Sequence, residues 1–201
     1  MLAVMGNRED LLAGAKRCLI EKGYARTTAR DIAAASGVSL AAIGYHFGSK
    51  DALMNQAVYE SVGDWADELQ NVLTAEGRDG AASLGRFELI MRQTLASFEG
   101  ANGGLWTAQL ELLSLAQHNQ QLHDFLAGLQ DLAESGLAEL FLGISAEDDP
   151  ASARAAGAVL QSLLIGLIAK HFLGPPGRLT GEGLADGMRI IAERMVPPAA
   201  T

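Results

Sequence analysis

Apolar residues in the first fifty positions recur at spacings of three and four, broken by polar and glycine punctuation. Leu11, Leu12, Ala15 and Leu19, with Cys18 beside them, mark one face of a helix. Asn7 is its expected cap, Glu9 and Asp10 sit where the helix dipole favours acids, and Gly23 is its stop. Thr28 and Asp31 have the spacing of a capping box, opening a short helix "ARDIAAAS" whose inward side is Ile32 and Ala35. "GVS" then separates it from "LAAIGYHF", with Ser39 placed to cap that second short helix. Two short helices around a glycine-containing tight turn form a helix-turn-helix, here at about residues 30–50. Gly48-Ser49 ends this element and opens a long helix. Leu53, Ala57, Val58, Val62, Trp65, Leu69 and Leu73 continue in it at helical spacing to about residue 74.

Beyond "TAEGRDGAA" the pattern lengthens. Helices are expected near 80–99, 104–117, 120–142, 150–173 and 180–195, with separators rich in Gly, Pro, Asn and Asp. No repeat, low-complexity tract or sustained alternating run is present, so the fold class is all-α.

Composition agrees: 201 residues, 49% hydrophobic and 19% charged, are enough for a substantial core. A single cysteine, Cys18, excludes an intrachain disulfide framework and fits a reducing cytosol. The opening "MLAVMGNRED" lacks the basic and long apolar regions of a signal peptide. The apolar run after Gly157 contains Gln161 and Ser162 and stops at Lys170, short of the roughly 20 residues of a membrane span. A cytoplasmic protein with no membrane association is expected.

Charge changes the picture. The net charge is −9, an argument against nucleic acid if taken whole. Residues 1–50, however, hold seven Lys and Arg against four Asp and Glu, a balance of +3. The other 151 residues hold eight against twenty, a balance of −12. A basic head on an acidic body fits one end meeting a polyanion, and also fits a solvated imbalance with no partner.

The elements "GYARTTARDIAAASGVS", "YHF" and "SKDAL" occur in an order and at spacings that resemble the TetR family of transcriptional regulators, over about residues 7–60. The resemblance implies a helix-turn-helix DNA-binding domain over 7–67 and a helical ligand-binding and dimerisation domain over 68–201. It implies a homodimer that binds a palindromic operator on double-stranded DNA and is released by an unidentified small molecule, acting as a repressor. No cofactor or metal is expected.

Within the head, Ile43 and Phe47 are expected to face the core. Ala41, Ala42, Gly44 and Tyr45, with His46 at the edge, are placed on the opposite side. Small residues there let the helix approach base edges, and alanine methyls can pack on thymine methyls. Leu40 fits either side by spacing; the resemblance turns it toward the groove. Lys50 lies in the first turn of the helix that Ser49 opens, where a cation opposes the dipole, unless a phosphate sits there. Arg30 is a candidate guanine reader, and Thr28 and Ser39 candidate phosphate contacts. The family often has Gly, Thr or Ser, and Tyr where this chain has Ala41, Ala42 and Gly44. That puts one phosphate anchor in doubt and leaves specificity leaning on Arg30, methyl contacts and DNA shape.

In the body, Phe87, Met91, Phe98, Trp106, Leu110, Glu111, Leu113 and Phe125 are candidate pocket residues, although such stripes are more often plain core. The segment 153–173 is apolar nearly all round. Gly157, Leu160, Leu164 and Leu167, with Met188 and Ile191 on the last helix, are candidates for a four-helix dimer interface; burial within the chain is the other reading. An enzyme is disfavoured. No G-x-S-x-G, Walker loop or H-E-x-x-H is present, and His118 and His123 are five apart, about 140° around a helix. A helical protein-interaction module remains the rival class, and it leaves the basic head unexplained.

Overall fold

A computed structural model describes residues 2–78, 82–100, 102–175 and 178–195, with side chains from residue 7 onward. All secondary structure among them is helical: α1 (Leu2–Lys22), α2 (Ala29–Ser36), α3 (Leu40–Phe47), α4 (Lys50–Ala75), α5 (Leu84–Glu99), α6 (Gly103–Ala116), α7 (Gln120–Gly128), α8 (Gln130–Leu142), α9 (Pro150–Leu173) and α10 (Gly181–Met195).

Two boundaries depart from the sequence pattern. Helix α1 starts at Leu2, so Asn7 lies inside it and caps nothing. The preceding Leu, Ala, Val and Met give the chain no reason to begin a helix later. The single helix expected over 120–142 is two, parted at Leu129, whose ψ is −7°. The halves serve different cores: Leu122 of α7 packs with α1 and α6 residues, whereas Ala138 and Phe141 of α8 are buried beside other partners. Gly128, a poor helix former, sits at the break.

Contacts divide the chain into two units, Met1–Trp65 with Gly100–Ala127, and Ala66–Glu99 with Gly128–Thr201. The first therefore recruits α6 and α7 from far along the sequence. Its core contains Leu11, Leu19, Ile32, Leu53 and Met54, all fully buried, together with Leu105, Ala108 and Leu112 of α6. Each large side chain removed from water there contributes about 1.5–3 kcal/mol.

The second unit pairs α8 with α9 and α5 with α10. Gly157 permits the first pairing, because a Cβ there would fall 2.0 Å from the Glu134 carbonyl oxygen. Arg86, buried on α5, donates to the Leu140 carbonyl at 2.7 and 2.9 Å and to the Glu139 carbonyl at 3.3 Å, satisfying the last turn of α8. The Phe87 and Phe141 rings meet at a tilt of 57°, their centres 5.8 Å apart.

Helix α9 corrects two sequence readings. By length and composition it is long and apolar enough to cross a membrane, because the helix extends beyond the run between Gly157 and Lys170. Gly157, Leu160, Leu164 and Leu167, proposed from the sequence as interface, are instead buried within the chain. The large apolar residues that α9 and α10 leave exposed are Val159, Phe172, Leu173, Ile190, Ile191 and Met195; of the sequence-derived set only Ile191 is among them, and Met188 is half-buried.

Candidate nucleic-acid interface

The head is fastened locally before it offers any surface. At the start of α2, the Asp31 amide donates to the Thr28 hydroxyl at 3.2 Å, and the Thr28 amide donates back to Asp31 at 2.9 Å. This is the reciprocal capping box that the Thr-x-x-Asp spacing announced. Lys22 donates to the same carboxylate at 2.6 Å. The Lys22 and Thr28 hydrogen bonds hold the Asp31 carboxyl well below the usual carboxylate range. At the other end of α2, Arg17 donates to the Ala35 carbonyl, and Gly37 caps the helix at φ 72°, in the left-handed region.

Helix α3 follows with Ile43 buried and Phe47 half-buried under the Arg8 guanidinium, 5.0 Å from the ring centre. Its outer side carries Leu40 (50% exposed), Ala41, Gly44 and Tyr45 (79% exposed). The ambiguity at Leu40 thus resolves outward. Ala42 turns the other way: it is half-buried and packs on the core, one residue from Ile43 and so 100° rather than 180° around the helix. His46 is half-buried with its ring edge-on to Tyr45 at 4.9 Å. Gly44 is not required by packing, since a Cβ there would meet nothing within 4 Å.

Ser39 occupies the cap position of α3 but makes no capping hydrogen bond, contrary to the sequence reading. The hydroxyl is exposed and open to an outside partner. Thr28 is the reverse case: its hydroxyl both accepts from and donates to Asp31, so a phosphate would have to compete with the cap. Arg30 is exposed and forms no ion pair among the described residues. Ser49 does cap α4, accepting from the Ala52 amide at 3.0 Å.

Lys50 is the positioned cation of the head. Its ammonium lies 2.8 Å from Asp51, 3.4 Å from the Thr27 carbonyl and 5.6 Å from the centre of the Tyr24 ring. Tyr24 itself donates to Asn55 at 2.6 Å. Burial, with the Asp51 charge, pushes the Tyr24 phenol up to about 12. Lys50 is therefore held at the N-terminus of α4, beside backbone N–H groups that favour an anion. Thr28, Arg30, the outer side of α3 and Lys50 all come from one compact unit.

That arrangement coincides with a family match. Residues 11–57 match the family described as "Bacterial regulatory proteins, tetR family". Over this N-terminal segment the chain is similar to that family. It is 43% identical over 49 residues to the HTH-type transcriptional repressor AcnR of Corynebacterium efficiens, covering 24% of this chain and 26% of that protein. It is 48% identical over 46 residues to the HTH-type transcriptional repressor Rv1474c of Mycobacterium tuberculosis, covering 23% and 25%. These matches span about a quarter of the length of those curated relatives. Over nearly the whole chain the fold is similar to that of the multidrug binding protein EbrR complexed with imidazole. The TM-score is 0.61 at 22% identity, covering 96% of this chain and 97% of that one; this likeness concerns fold alone.

The sequence-derived pocket residues are not brought together by either unit of this chain. Phe87, Met91 and Phe98 are buried on α5, in the second unit. Trp106, Leu110, Glu111 and Leu113 lie on α6, in the first, where Leu113 is 45% exposed and Phe125 packs on the core. Glu111 has a structural partner, accepting from the Ala25 amide at 3.2 Å in the turn that precedes α2. Beside it Gly104 lets α6 lie directly on α1, since a Cβ there would fall 2.1 Å from the Ile20 carbonyl oxygen. No spacing rule pairs residues 86 apart, so the sequence offered no signal for the Glu111 contact. A cleft of about 330 Å³ in the second unit is lined by Leu95, Glu99, Lys170 and Arg178 among others, and by none of the residues expected.

Proposed function

We propose that this chain is a ligand-responsive, DNA-binding transcriptional regulator, a repressor that binds a palindromic operator as a homodimer and is released by a small molecule. One observation carries most of the weight. The outer side of α3 is exposed and carries no full charge, and the same unit presents an exposed Arg30 and, at the N-terminus of α4, Lys50. A protein surface of this kind suits a close approach to base edges, with the charges left for phosphate. Lys50 and the first amides of α4 hold a backbone phosphate; Ser39 and Tyr45 contribute neutral donors. Leu40 and Ala41 contact base edges, and Gly44 keeps the backbone close. Arg30 reads a guanine where its helix enters the groove. Thr28 contributes through the cap more than through direct contact.

A head spanning 7–67 and a body spanning 68–201 divide the labour in this reading. The apolar residues that α9 and α10 leave exposed support a second copy covering them. Only 28% of the most apolar stretch of α9 is buried within the chain. Val159 on α9 and Ile190, Ile191 and Met195 on α10 are exposed apolar residues, which a two-fold-related copy would cover. A dimer also supplies the two heads that a palindrome requires. Such a protein works in the cytoplasm as a regulator and not as an enzyme. Small-molecule binding rests on the fold shared with EbrR, whose structure contains imidazole.

The test is selection from random duplex DNA followed by titration across salt. A captured palindrome, with log affinity falling linearly in log salt, is the expected result. Binding that ignores sequence, or none in dilute salt, overturns the reading. Arg30→Ala is expected to flatten the preference among operator variants.

A further inference from the structure

Two buried donors on α4 have no hydrogen-bond partner among the described residues. The Ser61 hydroxyl and the Trp65 indole N–H make no hydrogen bond, although the residues are only 8% and 5% exposed. They are four apart, hence one turn apart on the same side of the helix. Elsewhere the chain disposes of helical hydroxyls in the ordinary way: Thr94, Thr107 and Ser162 each donate to the carbonyl four residues back. Ser61 does not. A buried donor left unmade destabilises by about 1–3 kcal/mol, so two on one stripe point to an acceptor that enters from outside.

The surroundings define its chemistry. The Trp65 ring stands edge-on to Trp106 at 5.0 Å, giving the donors an aromatic wall. The neighbouring charges are already matched. Lys16 lies 2.6 Å from Asp64 and 3.7 Å from Glu60, and Glu60 also accepts from Gln56 at 3.1 Å. Lys16, the cation paired with the acids that flank the stripe, is already matched, so a carboxylate there would be desolvated without a free counter-charge from it. We infer that Ser61 and Trp65, walled by Trp106, form a subsite for a neutral, apolar-bodied effector that presents a carbonyl- or ether-type oxygen. The inference rests on the ligand-responsive reading above and names its ligand class.

The chain has two tryptophans, so its indole N–H signals in a ¹H–¹⁵N spectrum number two, and Trp106→Phe assigns them. The full-length protein is titrated with acetophenone, coumarin and γ-nonalactone, with benzoate and ethylbenzene as controls. The expected result is a saturable shift of the Trp65 indole signal by at least one neutral carbonyl compound, with benzoate inert. Ser61→Ala and Trp65→Phe each weaken that binding about 2- to 10-fold, the effect of one hydrogen bond. Ser61→Ala must also leave the melting temperature of the free protein unchanged or raised, because it removes an unsatisfied group. A hydroxyl with a merely structural role would lower it.

The inference is overturned if no neutral carbonyl moves the Trp65 signal. It is equally overturned if ethylbenzene moves it as far, or if a persistent water contact accounts for both donors. Carbonyl binding by a protein that selects no DNA would sink the regulator and leave the subsite standing. Selective DNA binding with no carbonyl response would do the opposite.

Discussion

Replacing Asp51 by Asn should strengthen operator binding. In the free protein the Asp51 carboxylate sits 2.8 Å from the Lys50 ammonium, where a phosphate would have to sit. Their side chains are 64% and 27% exposed, so water screens the pair and its loss on binding is worth at most about 1 kcal/mol. A phosphate and a carboxylate sharing one ammonium lie roughly 6 Å apart, which adds a repulsion of about 0.7 kcal/mol in water. At 1.4 kcal/mol per tenfold, Asp51→Asn gains about 3- to 15-fold in affinity for each half-site. The gain should shrink between 50 and 200 mM salt, as screened charges require. The same change removes an acid from the first turn of α4, so stability should fall by about 0.3–1 kcal/mol while affinity rises. Fluorescence anisotropy with a labelled operator, together with a thermal melt, reads both signs. Lys50→Ala should abolish the effect of Asp51→Asn in a double-mutant cycle. Unchanged or weaker binding by a folded Asp51→Asn protein would refute the reasoning.

Two glycines should respond oppositely to alanine. Gly44→Ala meets nothing and should stabilise α3 by about 0.5–1 kcal/mol, whereas Gly157→Ala drives a methyl into the Glu134 backbone and should lower stability by about 1–3 kcal/mol, both read by urea unfolding. Thr28→Ala dismantles the capping box and should lower stability by about 0.5–2 kcal/mol, a fall of several degrees in Tm. The Tyr24 phenol titrates higher folded than unfolded, so its contribution is intact below pH 10 and is lost as pH rises toward about 12. Alkaline unfolding should show that slope, and Tyr24→Phe should remove it. Asp31 works at the other end of the scale. Its lowered pKa stabilises the fold above the ordinary carboxylate range and ceases to do so as pH falls below about 4, a limb that Asp31→Asn should erase.

The head was legible because its signals are local. Thr28 to Asp31, Gly37, and the Ser49 cap of α4 are each decided within four residues, and the structure reproduces them. Ala42 was misplaced by reading a helical face as a half-circle when the residue lies beside Ile43. The body was harder for a physical reason: its determinants are contacts across long separations. Nothing near Gly157 tells that its neighbour is the Glu134 backbone, and nothing near Arg86 tells that it closes α8. An all-apolar helix such as α9 is equally consistent with burial inside the chain and against a second copy. The structure buries Leu160, Leu164 and Leu167 within the chain and leaves Val159 exposed.

The recruitment of α6 by the first unit bears on how this protein can be cut and recombined. Leu105, Ala108 and Leu112 complete the core that α1 and α4 begin, and the Glu111 carboxylate ties down the turn at Ala25. A fragment ending near residue 65 would leave that core open, so the reading head is not a detachable cassette. A chimera meant to transplant the proposed operator preference onto another body must carry residues 103–127 along with the first 65, or exchange only the outer side chains of α3. The same discontinuity makes the head sensitive to lesions placed forty residues beyond its apparent end.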